Sequence, residues 1–282
     1  MAYLYILPAY VVFALFMLVP LVRAGNLSLF EWDGLTPAEW VGFDNYRQVL
    51  SDPGLRAAFG HAAVLIFFYA VLPVMVALAL VATMTRAKLR GLGFYRTVLF
   101  VPQVVAMVVV AVAWRNIYAP EGPLNQLLRA VGLDGVARAW LGDFTWALPA
   151  VGFVGTWVQM GLAIVLFLAG VSKIPRELYE AARLDGAGPV REFFTVVLPA
   201  LRNEISVALT LTVIAALRNF DLVYMTTRGG PGDSTTVPAY EVYRRAFQIG
   251  EVGSAAAVAV TLTLLIFLLT FGITRVAERE AR

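Results

Sequence analysis

The sequence predicts an all-α, polytopic membrane protein with six membrane-spanning helices. Three observations predict it. Hydrophobic residues fill 60% of the 282 positions, and the mean hydropathy of +0.76 exceeds that of ordinary globular domains. Several windows run for about 18 or more residues without a charge, the length that crosses ~30 Å of hydrocarbon. The charges gather in islands between those windows. The whole chain, 1–282, reads as a single transmembrane domain.

Span one covers about Tyr3 to Val22, with Pro8 and Pro20 near its ends, where neighbouring helices can satisfy freed carbonyls. It is too long and wrongly flanked for a cleaved signal peptide. Residues 23–57 carry Glu31, Asp33, Glu39, Asp44 and Asp52, with turn signals at Asp33-Gly34 and Asp52-Pro53. Trp32 and Trp40 suit a membrane–water interface. Span two is about Phe59 to Met84. The loop after it, Thr85 to Arg96, holds Arg86, Lys88, Arg90 and Arg96 and no acid, so the positive-inside rule places it in the cytoplasm.

Span three, about Thr97 to Tyr118, has Pro102 near its start. Beyond it Leu124, Leu127, Leu128 and Val131 recur at helical spacing and predict a helix lying on the membrane surface. Span four is about Phe144 to Gly170. The cytoplasmic loop 171–204 follows, with Lys173, Arg176, Arg183, Arg191 and Arg202. Inside it, Pro175 can open a helix and Gly186 can close one with a left-handed residue, which predicts a short helix over Arg176 to Asp185. Pro189 starts a second helix, Val190 to Leu198, closed by Pro199.

Span five is about Ile205 to Thr227. The loop 228–250 contains the turn cluster Gly229-Gly230-Pro231-Gly232-Asp233. Span six, about Val252 to Thr274, opens on Gly253, Ser254, Ala255, Ala256, Ala257 and Ala259. Such small residues allow close helix approach, within the subunit or at a subunit interface. The tail carries Arg275, Arg279 and Arg282, so both termini are expected in the cytoplasm.

Little catalysis is open to this chain. It has no cysteine, which removes disulfides, thiol nucleophiles and thiolate metal sites. His61 is the only histidine and has no companion ligands. There is no His-Glu-x-x-His and no Gly-x-x-x-x-Gly-Lys-Ser/Thr. The lysines Lys88 and Lys173 follow no glycine loop, so any ATP must be bound by another polypeptide. The net charge of +3 is small, and nothing points to nucleic acid.

Polar groups inside the spans are the informative set, because charge in lipid is costly unless paired or facing a cavity. Span five holds Arg218, Asn219 and Asp221. Arg218 lies ~20 Å along the helix from Ile205, in the outer half of the bilayer. Arg218 and Asp221, three apart, can pair on one face or line a cavity. Asn219 can donate or accept toward a polar solute. Span four holds Thr156, Trp157, Gln159 and Gly161. Gln159 must face a helix or a cavity, and Trp157 offers either packing or a flat face for a sugar ring. Trp114, Arg115 and Tyr224 are weaker candidates of the same kind.

Within the loop 171–204, Glu180-Ala181-Ala182, Gly186 and Leu198-Pro199 stand together. This pattern resembles the permease subunit of a binding-protein-dependent ATP-binding-cassette importer, a fold of the MetI-like type. Further segments are Asn219 to Tyr224, Gly229-Gly230-Pro231, Ser234-Thr235-Thr236, Tyr243 to Phe247, Phe30 to Gly34, Val41 to Tyr46 and Phe94 to Pro102. These resemble the carbohydrate-uptake group, the maltose-permease-like first subunit, and also the first permease of glycerol-phosphate importers. The chain lacks the extra N-terminal spans and large insertion of the maltose protein.

The resemblance implies a multi-pass protein of a prokaryotic cell membrane, embedded in lipid. Its implied partners are a second related permease, two copies of a cytoplasmic ATPase that bind ATP and Mg, and an extracytoplasmic solute-binding protein. No cofactor is implied in this chain. Glu180 and Asp185 become polar docking contacts for the ATPase, Ala181 and Ala182 close-approach positions, and Gly186 the turn. Solute contacts are implied on the two spans flanking the loop. Asn219 matches by type and spacing, Gln159 by spacing alone. Rival readings are an ion-coupled secondary transporter, with Asp221 as its only coupling carboxylate, and a membrane-embedded enzyme.

Overall fold

The computed structural model describes residues 2–86 and 92–280. Lys88 and Arg90, on which the sidedness of the 85–96 loop rests, lie outside the described residues, as does Arg282. The described chain is helical almost throughout. Helix α1 spans Tyr5–Leu27. A two-residue hairpin, β1 Phe30–Glu31 with β2 Glu39–Trp40, pairs Phe30 with Trp40. Helix α2 is Asp44–Ser51, α3 Pro53–Met84, α4 Gly93–Val104, α5 Met107–Ile117, α6 Pro123–Ala130 and α7 Ala147–Val171. Then come α8 Arg176–Leu184, α9 Pro189–Ala200, α10 Arg202–Leu217, α11 Asp221–Thr226, α12 Pro238–Tyr243 and α13 Val252–Glu278.

Local chemistry explains the boundaries. The Asp33 carboxylate accepts from the Leu35 and Thr36 N–H groups, both at 2.8 Å, and closes the hairpin turn. Asp52 caps α3 by accepting from Gly54 N–H at 2.7 Å, and Pro53 takes the first helical position, where its missing donor is not needed. Four helices are long and apolar enough to cross a membrane, or up to six if each bent pair counts as one span.

Two expected spans are broken. Span three divides into α4 and α5, bent by 97° at Val105–Ala106. Pro102 removes a rung from the last turn of α4, and Ala106 is extended. Span five is not continuous over 205–227 either. Residues Arg218 to Phe220 leave the helix between α10 and α11, at an Asn and just before an Asp that both form helices poorly. The expected stop at Pro199 is also displaced. Helix α9 runs on to Ala200, through a π-helical turn Phe193–Val197, before a 69° elbow into α10.

Helix α7 is the centre of the core. It packs on α3, α4 and α10 through Ala163, Ile164 and Phe167, which are fully buried. Glycine makes these approaches possible. A Cβ on Gly155 would collide with the Tyr69 ring, and one on Gly161 with the Leu99 carbonyl. Beside them the Thr156 hydroxyl donates to the Phe68 carbonyl at 2.6 Å, within the π-helical turn Phe67–Val71 of α3. The small residues opening α13 pack inside the chain: Gly253 N–H donates to the Trp32 carbonyl at 3.2 Å, and Ala255 and Ala257 are buried. By contrast, the most apolar window of α1 has no buried residue, and α1 rests mainly on α13.

Candidate functional site

The Glu-Ala-Ala stretch forms the predicted short helix, α8, with Pro175 just ahead of its first residue rather than inside it. None of its residues is buried. Gly186 has a φ of +74°, and Ala187 N–H reaches back to the Ala182 carbonyl at 2.9 Å, the closure of a Schellman turn. No atom would obstruct a Cβ at Gly186, so the backbone angle alone calls for glycine. Glu180, Ala181, Asp185 and Gly186 are exposed and Ala182 is half-buried, a surface available to a partner.

Sequence reasoning missed how this helix is held. Arg183 Nε donates to Glu192 Oε2 at 2.9 Å across the Gly186–Gly188 turn, and Glu192 is only 4% exposed. The Glu192 carboxylate, by hydrogen bond and then by charge, holds the Arg183 guanidinium charged even above its ordinary range. The ends of the loop are tied as well. Lys173 Nζ is 3.3 Å from Glu204 Oε1, and Leu201 packs so closely on Gly170 that a Cβ there would meet it at 2.5 Å. Alternating charge across the turn was the available signal, but burial of one carboxylate is invisible in the sequence.

The candidates on the spans separate into two groups. Asn219 sits in the break of span five, 6% exposed, and its Nδ2 has no hydrogen-bond partner among the described residues. A buried, unsatisfied amide is costly. The break turns Arg218 and Asp221 apart: both are exposed, and the structure forms no ion pair between them. Tyr224 stacks on Phe220 with ring centroids 5.2 Å apart, and Tyr243 closes the group at 5.2 to 5.3 Å.

On the α7 side, Gln159 is 5% exposed and has no side-chain hydrogen bond among the described residues. Trp157 is 37% exposed and meets Trp114 edge to face at 5.5 Å. Arg115 points outward and joins neither group. Helix α11 packs against α5, which brings the second segments of the two broken spans together. His61 is structural: its Nδ1 lies 2.8 Å from the Thr236 carbonyl and ties α3 to the glycine-rich turn. No cluster of metal-ligating side chains occurs among the described residues.

The sequence profile of the binding-protein-dependent transport system inner membrane components matches residues 65–282. The chain belongs to this family. Its members include ABC importer permeases for sugars, and this permease is 39% identical over 269 residues to the probable ABC transporter permease protein YurN of Bacillus subtilis, covering 94% of this chain and 91% of that one. It is 35% identical over 279 residues to NgcF, a diacetylchitobiose uptake system permease of Streptomyces coelicolor, covering 94% and 79%. Its fold matches a chain of a bacterial alginate ABC transporter solved with an alginate pentasaccharide-bound periplasmic protein. The TM-score is 0.82 at 20% identity, over 99% of the permease and 94% of that chain. The permease therefore has the MetI-like fold of ABC importers.

Proposed function

We propose that this permease forms half of the translocation pathway of an ATP-driven importer of a sugar or oligosaccharide. The observation that carries the coupling role is α8: a capped helix with no buried residue, in a chain with no nucleotide loop. Glu180 and Asp185 face a cytoplasmic ATPase as polar contacts, Ala181 and Ala182 let it approach, and Gly186 sets the turn. Two ATPase copies, a second related permease and an extracytoplasmic binding protein complete the importer. The Glu-Ala-Ala end is cytoplasmic, as are both termini. Six spans result when each bent pair counts once.

Closure of the ATPase pair moves α8, and the spans on either side rock around a fixed site near the midplane. There the unpartnered Asn219 amide, with Gln159, offers hydrogen bonds to hydroxyl groups. Trp157 and Tyr224 offer flat apolar faces to a pyranose ring. A second reading rests on Arg218, an exposed cation in the same break: a glycerol phosphate or a related phosphodiester would pair with it.

Uptake of labelled maltose, lactose, N,N′-diacetylchitobiose and sn-glycerol-3-phosphate tests both readings in cells making the whole importer. Sugar uptake is expected to vanish without the ATPase and with Gly186→Pro, while the chain still inserts. Asn219→Ala is expected to raise the half-saturating concentration about fivefold, the worth of one hydrogen bond. Uptake that survives loss of the ATPase but fails with a proton uncoupler would overturn the proposal. Uptake of glycerol phosphate alone would select the second reading.

A further inference from the structure

The aromatic side chains beyond the break in span five form a continuous series. Phe220, next in the chain to Asn219, stacks on Tyr224 with the two rings 17° from parallel and 5.2 Å between centroids. Tyr243 meets both, at 5.3 Å and 5.2 Å. Phe247 follows, 5.5 Å from Tyr243 and tilted from it by 38°. The steps are even, and the series runs from Asn219, 6% exposed, to Phe247, 78% exposed. Phe220, Tyr224 and Tyr243 are half-buried between these extremes.

The outer end stands on a fixed base. Phe247 lies on the π-helical turn Arg244–Ile249, a form frequent at functional sites. Two residues earlier on that turn, Arg245 is buried and tied to Asp52, Glu251 and Ser254. An exposed phenylalanine is ordinary by itself. This one ends a series whose other end holds a buried amide, the Asn219 Nδ2, with no partner among the described residues. Aromatic faces take the C–H face of a sugar ring, and an amide takes its hydroxyl groups. Evenly spaced rings let a chain of pyranoses keep aromatic contact as it moves, because each step exchanges one face for the next.

We propose that Phe220, Tyr224, Tyr243 and Phe247 form a stacking ladder for pyranose rings, leading from the extracytoplasmic surface to the Asn219 site. A cargo that uses such a ladder has several linked rings. The ladder therefore assigns the importer to oligosaccharides in preference to a single sugar unit or a phosphate ester. This rests on the sugar-import reading and the sidedness proposed above.

Saturation-transfer NMR on the whole importer in nanodiscs, with a non-hydrolysable ATP analogue and no binding protein, reads the contact directly. Saturating the aromatic protons of the protein marks the sugar protons that lie on the rings. The probes are glucose, maltose, maltotriose and N,N′-diacetylchitobiose, with sn-glycerol-3-phosphate as the control. Transfer is expected to the three oligosaccharides, less to glucose and none to the control. Phe247→Ala should remove about half of the maltotriose signal and raise the half-saturating concentration for oligosaccharide uptake about fivefold, the scale of one aromatic contact. Phe247→Trp should keep both. Phe247→Leu, apolar but without a flat face, should match the alanine variant. Phe247 is exposed, so these substitutions leave the packing intact. Phe16→Ala, which removes an exposed ring from α1, should change nothing.

A Phe247→Leu variant as good as the parent would assign the ring to lipid or to a partner's apolar surface and overturn the inference. So would a Phe247→Ala defect traced to weaker association of the binding protein, or an absence of transfer to every sugar. If sugars enter and Asn219→Ala weakens uptake, while Phe247→Ala and Tyr243→Ala match the parent in both measurements, the ladder fails and the sugar reading stands. If glycerol phosphate alone enters, both fail.

Discussion

The two ends of the permease are held by different electrostatics. At the Glu-Ala-Ala end, an ion pair between Arg183 and Glu192 joins α8 to α9, and its arginine is largely exposed. At the opposite end Arg245, 6% exposed, is surrounded. It reaches Asp52 at 3.1 Å, Glu251 at 2.9 Å, the Ser254 hydroxyl at 2.9 Å and Glu241 at 3.4 Å. Arg244 adds a 2.8 Å contact to Glu241 and a 3.2 Å contact to Asp233. This network joins the start of α3, helix α12, the glycine-rich turn and the start of α13. The difference teaches a division of labour. The networked end is cross-linked by charge between segments distant in the chain, and the Glu-Ala-Ala end, the one proposed to meet the ATPase, is joined by a pair with one exposed member.

The sharpest way to break this comparison is to remove each arginine in turn. Arg245→Ala takes from the buried Glu241 one of its two arginines, and from Asp52 and Glu251 their shared partner, and is expected to cost about 3 kcal/mol of stability. Arg183→Ala removes an exposed guanidinium from a Glu192 that keeps a further contact, and should cost no more than about 1 kcal/mol. Thermal unfolding in detergent reads both. Equal losses would erase the distinction between the two ends.

A smaller effect probes the centre between the two ends. Thr156→Val removes the donor to the Phe68 carbonyl and should cost about 1 kcal/mol. The same melts report it, and a loss beyond about 3 kcal/mol would mean that α7 and the π-helical turn are held together chiefly by this bond.

The smallest effect is a pH dependence confined to the networked end. Burial pushes the Asp52 carboxyl up, but the Leu55 and Gly54 N–H donors together with Arg245 outweigh it and hold the carboxyl below its ordinary value. A depressed carboxyl contributes stability above its unfolded pKa and loses it as pH falls through the folded one. Melting temperature should therefore drop on the acid side, and Asp52→Asn should flatten that limb. Glu241 has the opposite sign: burial raises it despite both arginines, so its contribution weakens as pH rises through the window between its unfolded and folded values. An acid limb untouched by Asp52→Asn would assign the acid sensitivity to another group.

The six apolar segments and the Glu-Ala-Ala helix were legible because their causes are local. Hydropathy, proline and glycine placement and the left-handed turn at Gly186 act within a few residues of one another. Of the two readings open for Arg218 and Asp221, the ion pair does not form, because helical spacing brings them together only if the helix continues, and it stops at that point. Asn219 and Gln159 could be nominated as polar groups in apolar runs, but their burial, and the missing partner of the Asn219 amide among the described residues, follow from how the spans surround them.

By itself, then, the sequence determined the class of the protein, the place of its segments and the surface helix that the family uses, all set by short-range periodicity and backbone preference. The tertiary structure alone decided where two spans break, that Gly253 and its neighbours pack inward against the hairpin, and that Glu192 is buried beneath Arg183. It also decided that Asp52 and Arg245, 193 residues apart, meet in one ion network. Such pairings depend on burial, and burial is fixed only when distant segments exclude water together.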